Sequence, residues 1–229
     1  MTHTIQTRLL IVALVASSGL YSCDKAPKGD NAVITDQVLA KDGGGETFQI
    51  DTAKSWIRFT GHGVGKNHPG LLKLSYGQLT ANDNTVTGGT FVLDIRSLDM
   101  EQEGDMIDNK LQPHLLSGDF FNAEMFGTSR FEITKVEPYK AQDNEPSLVE
   151  GANFNVSGNL QIKDVTKNIT FPARIDLDGN TLEAKANFDI DRRQWKMNYG
   201  NDKTLGDKFI SETVNIELSL QALREDQNL

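Results

Sequence analysis

A single cysteine in 229 residues leaves no partner for an intramolecular disulfide, so no covalent staple holds this chain together, even in an oxidising compartment. No apolar run approaches the ~20 residues that a bilayer-crossing helix needs. Basic residues are in the minority: 23 Lys and Arg against 32 Asp and Glu give a net charge of −9. Phosphate contact depends on Lys and Arg, so this balance argues against nucleic acid or an anionic lipid surface as a partner. The 38% apolar content is modest, yet above what a disordered chain carries. The chemistry-bearing patterns are missing too. There is no GxSxG, no HExxH and no Cys-His ligand spacing, which leaves no nucleophile elbow and no zinc geometry. The sequence therefore points away from an enzyme, and from any cofactor or metal.

The first residues are a targeting segment. "MTHTIQTR" carries Arg8 and no acid, "LLIVALVA" is a short apolar core, and "SSGLYSC" closes it with small and polar residues. This is a secretory signal pattern. Leu20, Tyr21, Ser22 and Cys23 resemble the lipobox of bacterial lipoproteins, in which the cysteine is lipidated and becomes the new N-terminus. Residues 1–22 are thus expected to be a lipoprotein signal peptide and Cys23 the lipid-attachment site. The expected location is the bacterial envelope, with the protein exported and membrane-anchored through that lipid alone. Removing residues 1–22 takes away one arginine and no acid, which leaves the mature chain more acidic still. Residues 23–46 are polar, lack aromatics and contain a triple glycine; they read as a flexible tether.

From Thr47 onward the periodicity is two. "SWIRFTG" sets Trp56 against Ile57 and Phe59. "LLKLSYGQL" sets Leu72, Leu74 and Tyr76 against Lys73 and Ser75. Phe91, Leu93 and Ile95 share a face, as do Phe131 and Ile133, and Phe154, Val156, Leu160 and Ile162. The runs through Phe171 and Ile175, through Leu182 and Phe188, and through Val214 and Leu220 repeat the pattern. One apolar face per run is the mark of half-buried strands. "NDN" at 82–84 and "DGN" at 178–180 are turn clusters, the second a hairpin. Pro172 inside a strand pattern suggests an edge or a bulge. About eight strands and a single composition regime predict an all-β fold, an antiparallel barrel or sandwich.

One stretch breaks the alternation. Met106, Ile107, Leu111, Leu115 and Leu116 fall at near-helical spacing, which predicts a short helical crossover near 106–118. Pro113 would sit in the first turn of a helix starting there, and Gly118 would end it. "HGVGKNH" places His62 and His68 in a glycine-rich, flexible loop, and nothing around it supports a metal or phosphate site. Asp119 and Glu124 flank an apolar run with no catalytic partner and read as caps or solvated acids. "DRRQWKMNYG" reads as a strand end entering a rim loop rather than a nucleic-acid patch.

"HLLSGDFFNAEMF", "VSGNLQIKDVTKNITFPARI", "FDIDRRQWKMNYG" and the opening "FQIDTAKSWIRFTG" together resemble motifs of the YceI-like family of bacterial secreted proteins, in the same order. That resemblance implies a lipocalin-like antiparallel barrel over residues 47–222, followed by a polar tail at 223–229. It also implies an elongated apolar interior for a polyisoprenoid chain or isoprenoid quinone. The cavity wall is then expected to hold Phe59, Leu74, Phe91, Leu93, Phe120 and Phe121, with Phe126, Phe131, Ile133, Phe154, Phe171 and Phe188. Phe120 and Phe121 are adjacent, so if their segment is a strand only one can point inward, and the other must pack under the crossover. Two functions stay open: a tethered carrier of an apolar lipid, or a ligand-free envelope scaffold that uses the barrel rim. Homodimerisation stays open as well.

Overall fold

The alternating runs become strands, and their pairing order closes a ring. The computed structural model describes residues 25–41, 43–63, 65–141, 146–202 and 210–225. The expected signal segment and Cys23 lie outside the described residues. In chain order the strands are β1 (Asp30–Asn31), β2 (Val33–Asp36), β3 (Glu46–Ile50), β4 (Trp56–Gly63), β5 (Lys66–Asn82) and β6 (Thr85–Met100). After a helical crossover with α1 (Gln112–Leu116) come β7 (Thr128–Pro138), β8 (Phe154–Ile162), β9 (Val165–Asp178), β10 (Thr181–Asp191) and β11 (Ile210–Arg224). Strands β4 to β11 each pair antiparallel with the next, and β11 pairs back onto β4. The result is a closed eight-stranded antiparallel barrel with one short helix.

Strands β3 and β4 share one place in the ring, between β11 and β5. The turn between them is held by the Asp51 carboxylate, which accepts from the Ala53 and Lys54 amides at 3.1 and 3.3 Å. Ser55 patches the broken ladder: the Gln221 amide donates to its Oγ at 2.9 Å, and its Oγ–H donates back to the Gln221 carbonyl at 3.3 Å. At the β5–β6 turn Asp83 and Asn84 both take positive φ, 46° and 62°. Asp and Asn tolerate that conformation better than most residues, and it matches the twist of a two-residue hairpin.

The barrel has two halves. At the base Phe48, Leu79, Ala81, Leu182 and Ala222 fill the interior and are fully buried. Burying one such large apolar side chain contributes roughly 1.5–3 kcal/mol. The upper half, under the crossover, is not filled.

Several expectations need correction. Residues 23–46 are not a flexible tether throughout. β1 pairs parallel with β10 (Asp30↔Phe188), and β2 pairs antiparallel with β9 (Val33↔Thr170). Charge and glycine content hid two strands too short to show a period. The last strand runs through Leu223 and Arg224, beyond the expected boundary at 222; Arg224 pairs with Glu46 at 2.8 Å. Tyr76 does not share the inner face of Leu72 and Leu74. A bulge between Leu74 and Tyr76 flips the phase, leaving Tyr76 43% exposed, because an extra residue moves every later side chain to the other face. Pro113 does sit in the first turn of α1, where its missing N–H costs nothing, but the crossover is not plain α-helix. A π-helical turn, Ile107–Leu111, precedes α1, and the Gln112 amide bonds back to the Ile107 carbonyl.

Pro172 sits at a seam. β9 and β10 pair only over residues 173–178 and 181–186. Above Ala173 and Ala186 the two strands part, and β1 and β2 occupy the gap. Pro172 faces the seam just where β10 has left and β2 has not begun, so its missing N–H deprives no ladder. Inside, the Phe171 and Phe188 rings stack at 4.0 Å and 11°, bridging the parted strands.

Candidate functional site: an apolar cavity under the crossover

The unfilled half of the barrel is a cavity of about 540 Å³, within the range of small-ligand sites. An eight-stranded ring is just wide enough to hold one such ligand. Because side chains alternate across each strand, every stave delivers apolar groups inward: Phe59 and Leu72 from β4 and β5, Phe91, Leu93 and Ile95 from β6, and Phe131 from β7. Leu160, Ile169, Phe171, Phe188, Ile190 and Ile216 complete the wall from β8 to β11.

An aromatic band crosses this wall. Phe91 meets Phe131 at 5.2 Å, Phe131 meets Phe171 at 5.9 Å, and Phe171 stacks on Phe188. β8 lies between β7 and β9, so the Phe131–Phe171 contact has to pass over it. Gly158 makes that possible: a Cβ there would stand 2.2 Å from Phe131 Cζ. Gly70 plays the same part for Phe59, whose ring lies 2.6 Å from where a Cβ would be.

The crossover roofs the cavity with Met106, Leu111, Leu115, Phe120 and Phe121. Residues 118–125 form turns rather than a strand, so the alternation rule does not apply and both Phe120 and Phe121 face the cavity. Phe121 sets its edge to Phe59 at 6.3 Å. His114 fixes the other side, with Nε2 2.8 Å from Asp119 Oδ2 and its ring against Phe120 and Tyr199 at 5.2 and 4.5 Å.

Of the twelve expected wall residues, Phe59, Phe91, Leu93, Phe120, Phe121, Phe131, Phe171 and Phe188 line the cavity, and Leu74, Phe126, Ile133 and Phe154 do not. Leu74 and Ile133 are buried, but each abuts a bulge that breaks the strand register. Phe154 begins β8 at the base and is partly exposed. Phe126 lies in the turn after the crossover, where its amide donates to the Asn122 carbonyl at 2.8 Å. Ile95 and Ile190, also in the wall, were in phase with neighbours already read as inward.

Polar groups gather at the mouth. His62 and His68 are not in a flexible loop; they stand on β4 and β5, paired through Gly61↔His68 and His62↔Asn67. His62 Nδ1 lies 2.8 Å from Asn67 Oδ1, and His68 Nδ1 lies 3.3 Å from Gln102 Oε1. Arg192 follows β10 and is 2% exposed. Its guanidinium donates to the carbonyls of Ser211 at 2.8 Å, Ile210 at 3.0 Å and Met197, and sits 5.8 Å from the Phe120 ring. Burial lowers its pKa. Trp195, fully buried, donates from Nε1 to the Leu160 carbonyl at 3.0 Å and locks this turn to β8. Nothing in the sequence pattern marks Arg192 as buried, since it sits beside the exposed Arg193. Among the described residues no group of three or more His, Cys, Asp or Glu is placed to hold a metal.

Burial pushes the His68 pKa below the ordinary imidazole value. The unfolded chain then binds this proton more readily than the folded one. The stability tied to neutral His68 is complete above the unfolded value of about 6.5 and is lost as pH falls toward the folded one. The melting temperature of the wild type should therefore drop more between pH 7 and pH 5 than that of His68→Gln. Equal drops would dismiss the linkage.

This arrangement suits an elongated apolar molecule: an oily wall below, hydrogen-bonding groups only at the entrance. A family model for the YceI-like domain matches residues 48–222. The crystal structure of Burkholderia cenocepacia BcnA aligns with a TM-score of 0.57 at 20% identity, covering 75% of this chain and 98% of that one. A polyisoprenoid binding domain from Saccharophagus degradans, implicated in plant cell wall breakdown, aligns with a TM-score of 0.57 at 12% identity, covering 78% and 98%. No curated protein matches the sequence.

Proposed function

Starting from the fact that the chain belongs to the YceI-like family, we propose that it holds one polyisoprenoid or isoprenoid quinone in the barrel. In this reading it works as a carrier in the bacterial envelope, not as an enzyme, and acylated Cys23 anchors it to a membrane. The observation that carries the reading is the cavity itself. Filling it with water would strand ordered solvent against phenylalanine and isoleucine, whereas an apolar chain gains roughly 25 cal/mol for each Å² it removes from water. A scaffold with no ligand has no use for an unfilled interior, because unfilled apolar space costs stability. The polyisoprenoid binding domain of Saccharophagus degradans shares the fold and supports the choice of ligand class. The lipobox-like Leu20–Cys23 and the unpaired Cys23 support the anchor.

Native mass spectrometry of the protein purified from its own membranes, set against the denatured mass, tests the ligand. One polyisoprenoid or quinone per chain, recovered in organic solvent, is the expected result. A chain that arrives empty and takes up neither class when offered would end the carrier reading.

A further inference from the structure

We propose that the barrel is held mouth-down on the membrane, with the cavity entrance facing the bilayer, because its N-terminal segment is a fixed strap that begins at the mouth. This rests on the reading of Cys23 as the lipid anchor.

The strap is pinned along its length. At its start the Lys25 carbonyl accepts a hydrogen bond from Asn67 Nδ2 at 2.8 Å. Asn67 lies between the two mouth histidines, bonded to His62 and adjacent to His68. Four residues on, the Gly29 amide donates to Asp189 Oδ1 at 3.1 Å. Gly29 is wedged so closely that a Cβ there would stand 2.6 Å from Phe188 Cα. β1 and β2 then occupy the seam between β10 and β9. Past β2, near the β8–β9 hairpin, Asn159, buried opposite Asn168, clamps Val38 from both sides: the Val38 amide donates to Oδ1 at 3.1 Å and Nδ2 donates to the Val38 carbonyl at 2.6 Å. Near the base Thr87 Oγ1 donates to the Gly44 carbonyl at 2.7 Å.

Cys23 is two residues from Lys25, a reach of at most ~7 Å. A lipid on Cys23 therefore enters the bilayer within a few ångströms of the cavity entrance, not at the end of a long swinging leash. Two exposed side chains at this end, Met106 at 65% and Tyr199 at 48%, also line the cavity. A tyrosine with one wet end suits the headgroup layer. Glu103, Asp105 and Asp108 lie on the same crossover and would repel an anionic surface, so the contact fits a zwitterionic one and depends on the anchor rather than on charge. Lipid can then pass between bilayer and cavity without the carrier leaving the membrane.

The test uses the full lipoprotein in phosphatidylcholine vesicles. With Cys23 acylated, an introduced cysteine is the only free thiol. A fluorophore goes on Lys66→Cys, in the β4–β5 hairpin at the mouth, or on Asn180→Cys, in the β9–β10 hairpin at the base. Nitroxide-bearing lipids should quench the mouth label several-fold more than the base label. Combining Gly29→Leu with Asn159→Ala should free the strap and bring the two labels close to parity. Equal quenching, or stronger quenching at the base, in a protein whose N-terminal peptide carries its acyl mass would overturn the orientation and leave the anchor standing. An N-terminal peptide without acyl mass would overturn both.

Discussion

Phe188→Ala is expected to lower the free energy of unfolding by about 3–5 kcal/mol, a large share of what a domain of this kind possesses. Two losses add here. The buried ring leaves a hole, and the stack on Phe171, worth roughly 0.5–1.5 kcal/mol beyond its area, goes with it. The position makes the loss structural in a second way. Phe188 and Phe171 stand just above Ala186↔Ala173, the last pair that β10 and β9 share. Above that point no β9–β10 ladder joins the strands, and the ring stack inside and the strap outside hold the seam. Urea titration followed by tryptophan fluorescence measures the effect, with Phe59→Ala as a control elsewhere in the same cavity. If Phe188→Ala costs no more than Phe59→Ala and leaves amide exchange of β1 and β2 unchanged, the stack is ordinary core and not a closure of the barrel.

Much of this architecture was legible in the residues. Period-two runs between turn clusters located β4 to β11, and four motifs led to the right family and barrel. The interior was harder, for a physical reason. Alternation gives the face of a strand but not the height of a residue along the barrel, so Phe154 at the base and Phe91 in the cavity look alike. Bulges add a second error: after Leu74 the phase slips by one residue and no local signal announces it. The strap escaped because its strands are too short to show a period, and their partners, β9 and β10, lie well over a hundred residues away. Arg192 escaped because burial of a charge is decided by three backbone carbonyls, one in its own turn at Met197 and two at the start of β11. The clearest hint that was available was glycine. Gly70 and Gly158 interrupt otherwise apolar strand faces, and each is the counterpart of a phenylalanine ring.

That pairing yields the sharpest test of the cavity. Gly158→Val should cut retention of an isoprenoid by at least tenfold while the barrel stays folded, at a cost of about 1–3 kcal/mol for overpacking. Valine is a good strand residue, and its backbone demands nothing unusual here, since Gly158 does not have positive φ. The clash is with Phe131 Cζ at 2.2 Å, the far end of a side chain that can turn. Phe91 and Phe171 flank the ring, so the direction left open is the cavity. The ring then occupies space that a ligand chain would fill. A charged substitution such as Phe131→Asp would also empty the site, but it would bury an unpaired carboxylate and confuse loss of binding with loss of fold. The valine variant separates the two: circular dichroism and the urea midpoint report the barrel, and solvent extraction or fluorescence displacement reports the ligand. A folded Gly158→Val that keeps wild-type lipid content would mean that the ligand lies above the aromatic band, against the crossover alone, and that the lower cavity is never used.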